Sequence, residues 1–224
     1  MKILLTRVRN ESLSGKIVEM LKAPDNRMID LYALPCTWDI TELNTYPSNL
    51  GEYDGIINTT GITLNEPIIK HNLYNARQVF DVNVIGAMTL TSEYAQSRIK
   101  ASAEGGFIIH IGSTGSRKVF TNCSAYCASK AALAHYIQCA GYELKKNNIS
   151  VIGVHPGNIN DTQMTNQVKM DLKLNRNMSN EEITKIYEDA HSVYDVALFI
   201  INLLSMPMAD ISGENFYMGR GWKG

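Results

Sequence analysis

The chain has 224 residues, 45% of them hydrophobic, and a formal net charge of -1, so it can bury the core of one large domain and is short for two. Near-neutral charge, with no Lys/Arg cluster beyond a pair or so, leaves no electrostatic footprint for nucleic acid or an anionic membrane surface. The opening run Ile3, Leu4, Leu5 is too short for a signal-peptide core or a spanning helix, so a soluble, cytoplasmic protein with small-molecule partners is expected. Cys36, Cys123, Cys127 and Cys139 lack a metal-ligand spacing and are expected to be reduced thiols; His71, His110, His135, His155 and His191 form no ligand motif, and no metal is expected.

Taken in order, Lys2 to Thr6 predicts a buried strand and Ser14 to Ala23 an amphipathic helix. A second strand is expected at Arg27 to Leu31, and after Pro35 a third short one ending in Trp38-Asp39-Ile40-Thr41. Almost no room remains for a helix between these two. Asp54-Gly55-Ile56-Ile57-Asn58 predicts a fourth strand that ends in the turn Asn58-Thr59-Thr60-Gly61. Asn75 to Lys100 predicts one long helix with Val79, Val82, Ile85, Met88 and Leu90 on its apolar face, interrupted by the amide of Asn83. Phe107 to Ile111 is a β-branched apolar run closed by Gly112, a buried strand that delivers Ser113 from its C-terminal end; His110 within it is expected to be a core residue. A helix from Tyr126 to about Lys146, a strand from Ile149 to Val154 and the tight loop His155-Pro156-Gly157 come next. Residues 163–190 are polar, Met-rich and weakly helical; Asp195 to Ser205 is a strong helix, and Ile211 to Gly219 a closing strand.

Tyr126 and Lys130 are four apart in an Ala-rich helix and share one face. A positive charge beside a phenol favours the phenolate, bringing a group that ordinarily holds its proton to about pH 10 toward proton exchange near neutrality. With Ser113 thirteen positions before the tyrosine and Asn83 in V-N-V-I-G, the pattern resembles the short-chain dehydrogenase/reductase family. The resemblance runs over nearly the whole chain and implies an α/β fold: a single Rossmann-like domain over residues 1–224, a doubly wound parallel sheet flanked by helices, with a shortened link between the second and third strands. It implies an oxidoreductase that moves hydride between a nicotinamide dinucleotide and a carbonyl or alcohol. Tyr126 would be the acid/base, Ser113 would hold the reacting oxygen, Lys130 would tune the phenol and bind ribose, and Asn83 would order a water beside the lysine.

The family's T-G-x-x-x-G-x-G loop is where this chain departs most. After Thr6, Arg7 takes the place of the first glycine, and Ser12 and Ser14 those of the other two, with Leu13 between. In one reading the serines and the cations Arg7 and Arg9 hold the pyrophosphate with side chains; in the other the loop has lost tight phosphate binding and the protein is a non-catalytic dinucleotide-binding scaffold or sensor. The resemblance further assigns Asp39 and Ile40 to the adenine, Asn58, Thr60 and Gly61 to the sheet and the ribose, and Pro156, Gly157 and Ile159 to the nicotinamide, with Asp161 or Thr162 beyond. No acid stands at the expected second-strand tip near Tyr32 and Ala33, Asp30 being two residues early, so NADP is preferred, with NAD possible. Residues 163–190 become a substrate-covering lid, and the helices of Asn75 to Lys100 and Tyr126 to Lys146 a homodimer or homotetramer interface, using Leu133, Tyr136 and Ile137.

Overall fold

Consecutive apolar residues in the central strands set the architecture, because successive strand side chains enter opposite layers and both layers must be covered. The computed structural model describes residues 1–9, 12–23, 29–35, 37–160 and 162–219. Among them, strands β1 (Lys2–Val8), β2 (Asp30–Pro35), β3 (Gly55–Asn58), β4 (Gly106–Ile111), β5 (Ile149–His155) and β6 (Asn215–Tyr217) form one parallel sheet in the order β2-β1-β3-β4-β5-β6. The helices are α1 (Leu13–Leu21), α2 (Leu73–Phe80), α3 (Gly86–Lys100), α4 (Ser124–Leu144), α5 (Gln163–Arg176), α6 (Asn180–Ile186) and α7 (Val193–Leu203). Ile3, Leu5, Ile57, Ile109 and Ile152 pack on one side with Ile17 of α1 and Val196 and Ile200 of α7. On the other, Leu4, Ile56 and Ile108 meet Leu90 and Tyr94 of α3, and Val151 meets Leu133 and Ile137 of α4. Helices on both faces of a parallel sheet make this a doubly wound, Rossmann-like α/β fold.

The link from β2 to β3 is shortened as expected: its described residues carry only 3₁₀ turns at Leu43–Thr45 and Leu50–Glu52. Their side chains stand in for a covering helix, since Trp38, Ile40, Leu50 and Tyr53 are buried against Leu90 and Tyr94.

Four expectations need correction. Strand β2 lies later than Arg27 to Leu31, because its register is set by pairing with β1 from Lys2↔Asp30 onward; Arg27 and Met28 lie outside the described residues. Trp38 to Thr41 is a turn rather than a strand. Asp39 Oδ1 accepts from the backbone N–H of Thr41 at 2.9 Å and from its hydroxyl at 2.8 Å, an Asx turn that the alternation of Trp38 and Ile40 disguises. The long helix starts at Leu73 and is broken by a π turn at Asp81–Ile85. The extra residue rotates the rest of the helix, so Ile85 and Met88, expected inside, are 52% and 38% exposed. Finally, residues 163–190 form two full helices, α5 and α6, held by Leu172, Ile183 and Tyr187, and α6 has the Ser179/Glu182 capping box that a sequence scan could have found.

Candidate active site

Three elements meet at the C-terminal edge of the sheet. Strand β4 ends at Ile111 and hands over Ser113, which is buried. The Ser113 hydroxyl caps the next 3₁₀ turn, accepting from the Gly115 N–H at 3.1 Å. Helix α4 presents Tyr126 and Lys130 on one face, with Lys130 Nζ 5.9 Å from the centre of the phenol ring. The π turn carries Asn83, which is 1% exposed, a common use of π turns at functional positions.

Asn83 closes the arrangement with a double clamp. Its Oδ1 accepts from the Ile62 N–H and its Nδ2 donates to the Ile62 carbonyl, both at 2.9 Å. Nδ2 also reaches Ser129 Oγ at 3.1 Å, and that hydroxyl donates to the Tyr126 carbonyl at 2.7 Å. A Cβ on Gly61 would stand 3.3 Å from Asn83 Oδ1 and 3.4 Å from Lys130 Nζ, so both groups flank the same point of the chain. The four expected catalytic side chains are therefore together.

Burial governs their electrostatics. It pushes the Tyr126 phenol up to about 12, against a hydrogen bond with Ser113 that works the other way. It pulls the Lys130 ammonium down to about 8. The expected lowering of the phenol by Lys130 is not what sets its value: the ammonium donates to the Ile111 carbonyl at 3.0 Å, and removing water from the phenol disfavours its anion.

The residues expected to face a cofactor divide in two. Asn58 staples the sheet: its Oδ1 accepts from Thr6 Oγ1 at 2.9 Å and from the Thr60 N–H at 3.1 Å, while its Nδ2 lies 3.1 Å from His110 Nδ1. His110 is wholly buried and meets Thr91 Oγ1 at 2.9 Å on its other nitrogen, the core residue the sequence suggested. Pro156 accepts from the Thr114 N–H at 2.9 Å; Gly157 and Ile159 are half-buried, and the Ile159 carbonyl takes the Thr165 hydroxyl. Thr162 caps α5, and Asp161 lies outside the described residues.

On the loop side, Arg7 has φ +49°, a left-handed backbone that costs a non-glycine residue strain. Ser12 caps α1, and Leu13 is its first, buried residue. Both serine hydroxyls bond within the loop: Ser12 Oγ donates to the Arg9 carbonyl at 2.7 Å and Ser14 Oγ to the Arg7 carbonyl at 3.2 Å. Arg9 Nη1 donates to Gln163 Oε1 at the start of α5; Asn10 and Glu11 lie outside the described residues. Asp39 is exposed, and its carboxyl is held below the usual range by the Thr41 hydrogen bonds and by the Arg7 guanidinium. Ile40 is turned into the core, its Cγ2 being 2.6 Å from where a Cβ on Gly86 would stand, and its carbonyl accepts from Tyr46 at 2.6 Å.

Sequence reasoning missed Ser129, His155 and Asn215. Ser129 is signalled by a small polar residue directly before the lysine; His155 and Asn215 become visible only once β5 and β6 are seen to be neighbours.

A family model of short chain dehydrogenases matches residues 33–173, more than half of the chain. The chain belongs to the short-chain dehydrogenase family. It is 31% identical over 122 residues to the short-chain dehydrogenase virD of Hypocrea virens, a match covering 54% of this chain and 42% of that one. It is 28% identical over 136 residues to an NADP-dependent 3-hydroxy acid dehydrogenase of Schizosaccharomyces pombe, covering 57% and 52%. Carbonyl reductase family member 4 of Xenopus tropicalis matches at 29% over 171 residues, covering 73% and 70%. The chain thus spans about half the length of the first curated relatives it matches. Among solved structures, a short chain dehydrogenase family protein from Francisella tularensis superposes with a TM-score of 0.79 at 20% identity, covering 97% of this chain and 96% of that one. A 4-hydroxyisoleucine dehydrogenase complexed with NADH gives 0.78 at 20%, covering 100% and 99%; both likenesses speak to the fold.

Proposed function

We propose that this short-chain dehydrogenase interconverts a small carbonyl compound and its alcohol, using NADP, or NAD as the less favoured partner. The observation that carries the proposal is the joining of Ser113, Tyr126, Lys130 and Asn83 at one edge of the sheet. The residues present fit a nicotinamide dinucleotide: Gly61 keeps a gap beside Lys130, whose ammonium spends one of its three N–H donors on Ile111. Arg7, Arg9, Ser12 and Ser14 would face its phosphates, and Pro156, Gly157 and Ile159 its nicotinamide. When bound, that group supplies or accepts the hydride.

In reduction Ser113 would hold the carbonyl oxygen and Tyr126 would give it a proton. Burial keeps the phenol protonated at neutral pH, the form a general acid needs. The resulting phenolate would be stabilised by the Lys130 ammonium, and Asn83 would hold the loop at Ile62 against α4. For the reverse direction Tyr126 must first lose its proton, so oxidation should speed up with rising pH.

Two features support NADP. Asp30 pairs with Lys2 at the opposite end of β2 from the cofactor edge, and Pro35 and Thr37, the described residues at the tip, bring no acid. The self-bonded serine loop instead favours the second reading, a scaffold that binds dinucleotide weakly and turns nothing over. Exposed Ile85 and Met88 support a homodimer or homotetramer through α3 and α4; Leu133 and Ile137, expected there, face the chain's own core. The thiols of Cys123, Cys127 and Cys139 are free, which agrees with a cytoplasmic setting. Titration with NADPH and NADH followed by nicotinamide fluorescence, then a panel of carbonyl substrates, tests the proposal. Binding and turnover are expected, with Tyr126→Phe losing about 10² to 10⁴ in kcat at dinucleotide affinity within a few fold. No binding at millimolar dinucleotide, or more than about a tenth of the activity left in Tyr126→Phe, overturns it.

A further inference from the structure

Strand β5 ends in His155, whose ring is 0% exposed and lies between the serine of the site and the last strand. The Ser113 N–H is 3.2 Å from His155 Nδ1. His155 Nε2 is 2.6 Å from Asn215 Oδ1, and Asn215 Nδ2 donates to the Ala134 carbonyl on α4 at 2.9 Å. These contacts fix the proton. Because the Asn215 amide nitrogen is committed to a carbonyl, its oxygen faces the ring; that oxygen only accepts, so Nε2 carries the hydrogen and Nδ1 is left to accept from Ser113. Burial, together with the nearby Lys130 and Arg117 charges, holds the imidazole below its ordinary range against the hydrogen bonds of Asn215 and Ser113, which keeps it neutral.

The surroundings are shaped for this pair. A Cβ on Gly112 would stand 2.2 Å from His155 Nδ1, and one on Gly153 would stand 2.3 Å from Asn215 Oδ1 and 2.7 Å from His155 Nε2. Tyr217 stacks on the ring with centroids 4.5 Å apart, and the Arg117 guanidinium covers Tyr217 at 3.7 Å.

We propose that His155, locked by Asn215 as its Nε2–H tautomer, is a positioning residue that fixes the backbone of Ser113 against α4, the helix carrying Tyr126 and Lys130. The relay begins on α4 at Ala134 and ends on the serine, so it sets the spacing of the two groups that must share one substrate oxygen. This rests on the reading of Ser113 as the holder of that oxygen, and misplacement of a reacting group by about 1 Å can cost as much as 10²-fold.

The first arm of the test needs no substrate. In the full chain labelled with nitrogen-15 in histidine, the His155 ring should show a neutral Nε2–H tautomer between about pH 6 and pH 8. Asn215→Leu should release the lock and populate the Nδ1–H form, which can reach the Ser113 carbonyl 3.3 Å away. An Nδ1–H ring in the wild type, or an Asn215→Leu ring that does not change, overturns the relay. In the second arm, His155→Leu should lower kcat about 10- to 100-fold with KM and NADPH affinity within about threefold. His155→Asn, whose side-chain oxygen can stand near the Nδ1 position, should recover most of that loss. Equal losses in the two variants, or a loss confined to KM, overturn the proposal; if His155→Leu does not fold, the kcat of Asn215→Leu, expected to fall in the same way, replaces it. Absence of turnover in the wild type would count against the activity alone, because the first arm still decides the relay.

Discussion

Lys130→Met should make this protein more stable while removing its activity. The Lys130 side chain is 4% exposed, and burial takes its pKa from the ordinary 10.5 to about 8. At about 1.4 kcal/mol per pH unit, holding the charged form inside the fold at pH 7 costs roughly 3 kcal/mol. The folded value lies below the unfolded one, so the full stability is present above about pH 10.5 and is lost as pH falls toward 8. Methionine is similar in length and carries no charge; it forfeits the 3.0 Å charge-assisted bond to the Ile111 carbonyl, worth about 2 kcal/mol. The net expectation at pH 7 is a gain of about 1 kcal/mol, or about 2–4 °C for a chain of this size. Urea unfolding of both proteins at pH 7 and pH 10 measures it. The buried Tyr94 and the half-buried Tyr46 and Tyr126, whose raised values oppose stability above about pH 10, cancel in the difference. A variant no more stable than wild type at pH 7, or a gap that does not narrow by pH 10, would refute the reasoning.

Arg7→Ala with Arg9→Ala should weaken NADPH more than NADH, and the gap should shrink with added salt; equal losses in isothermal titration would argue against NADP. Light scattering should find a dimer or larger species at micromolar concentration, and a species of 25 kDa would rule out the α3–α4 interface. The rate of alcohol oxidation should rise with pH from 7 to 9 by about tenfold per unit while the phenol titrates near 12, and a flat profile would show that another group takes the proton. Ser12→Ala should lower stability by about 1 kcal/mol through loss of the α1 cap, read as a shift in the urea midpoint.

How much of the fold and the site is legible in the sequence depends on where the information sits. The strands β1, β3, β4 and β5 announce themselves because each is buried on both faces and carries adjacent aliphatic residues at its centre. Edge strand β2 has no such run, and its position depends on pairing with β1 rather than on its own residues. Tyr126 and Lys130 are legible because their spacing is local, and Ser113 because a strand end points at it. The lysine's effect on the phenol is misjudged from sequence because a pKa belongs to the surroundings: charge proximity is visible in a sequence, desolvation is not. The π turn is hidden for a related reason, since an extra residue in a helix changes the phase of the pattern without changing its composition.

That π turn at Asp81–Ile85 makes the length of this segment, more than its spelling, the quantity under constraint. An α-helix turns by about 100° per residue, so deleting one residue here would restore a regular rod and twist its two halves against each other by about that angle. Val79 and Asn83 on one side, and Leu90 and Tyr94 on the other, are all at most 1% exposed, and they could not all keep their seats. The segment behaves as a keyed shaft: in a library selected for activity, substitutions should accumulate at residues 81, 82, 84 and 85, with Asn83 kept for its clamp on Ile62, while single-residue deletions and insertions are absent.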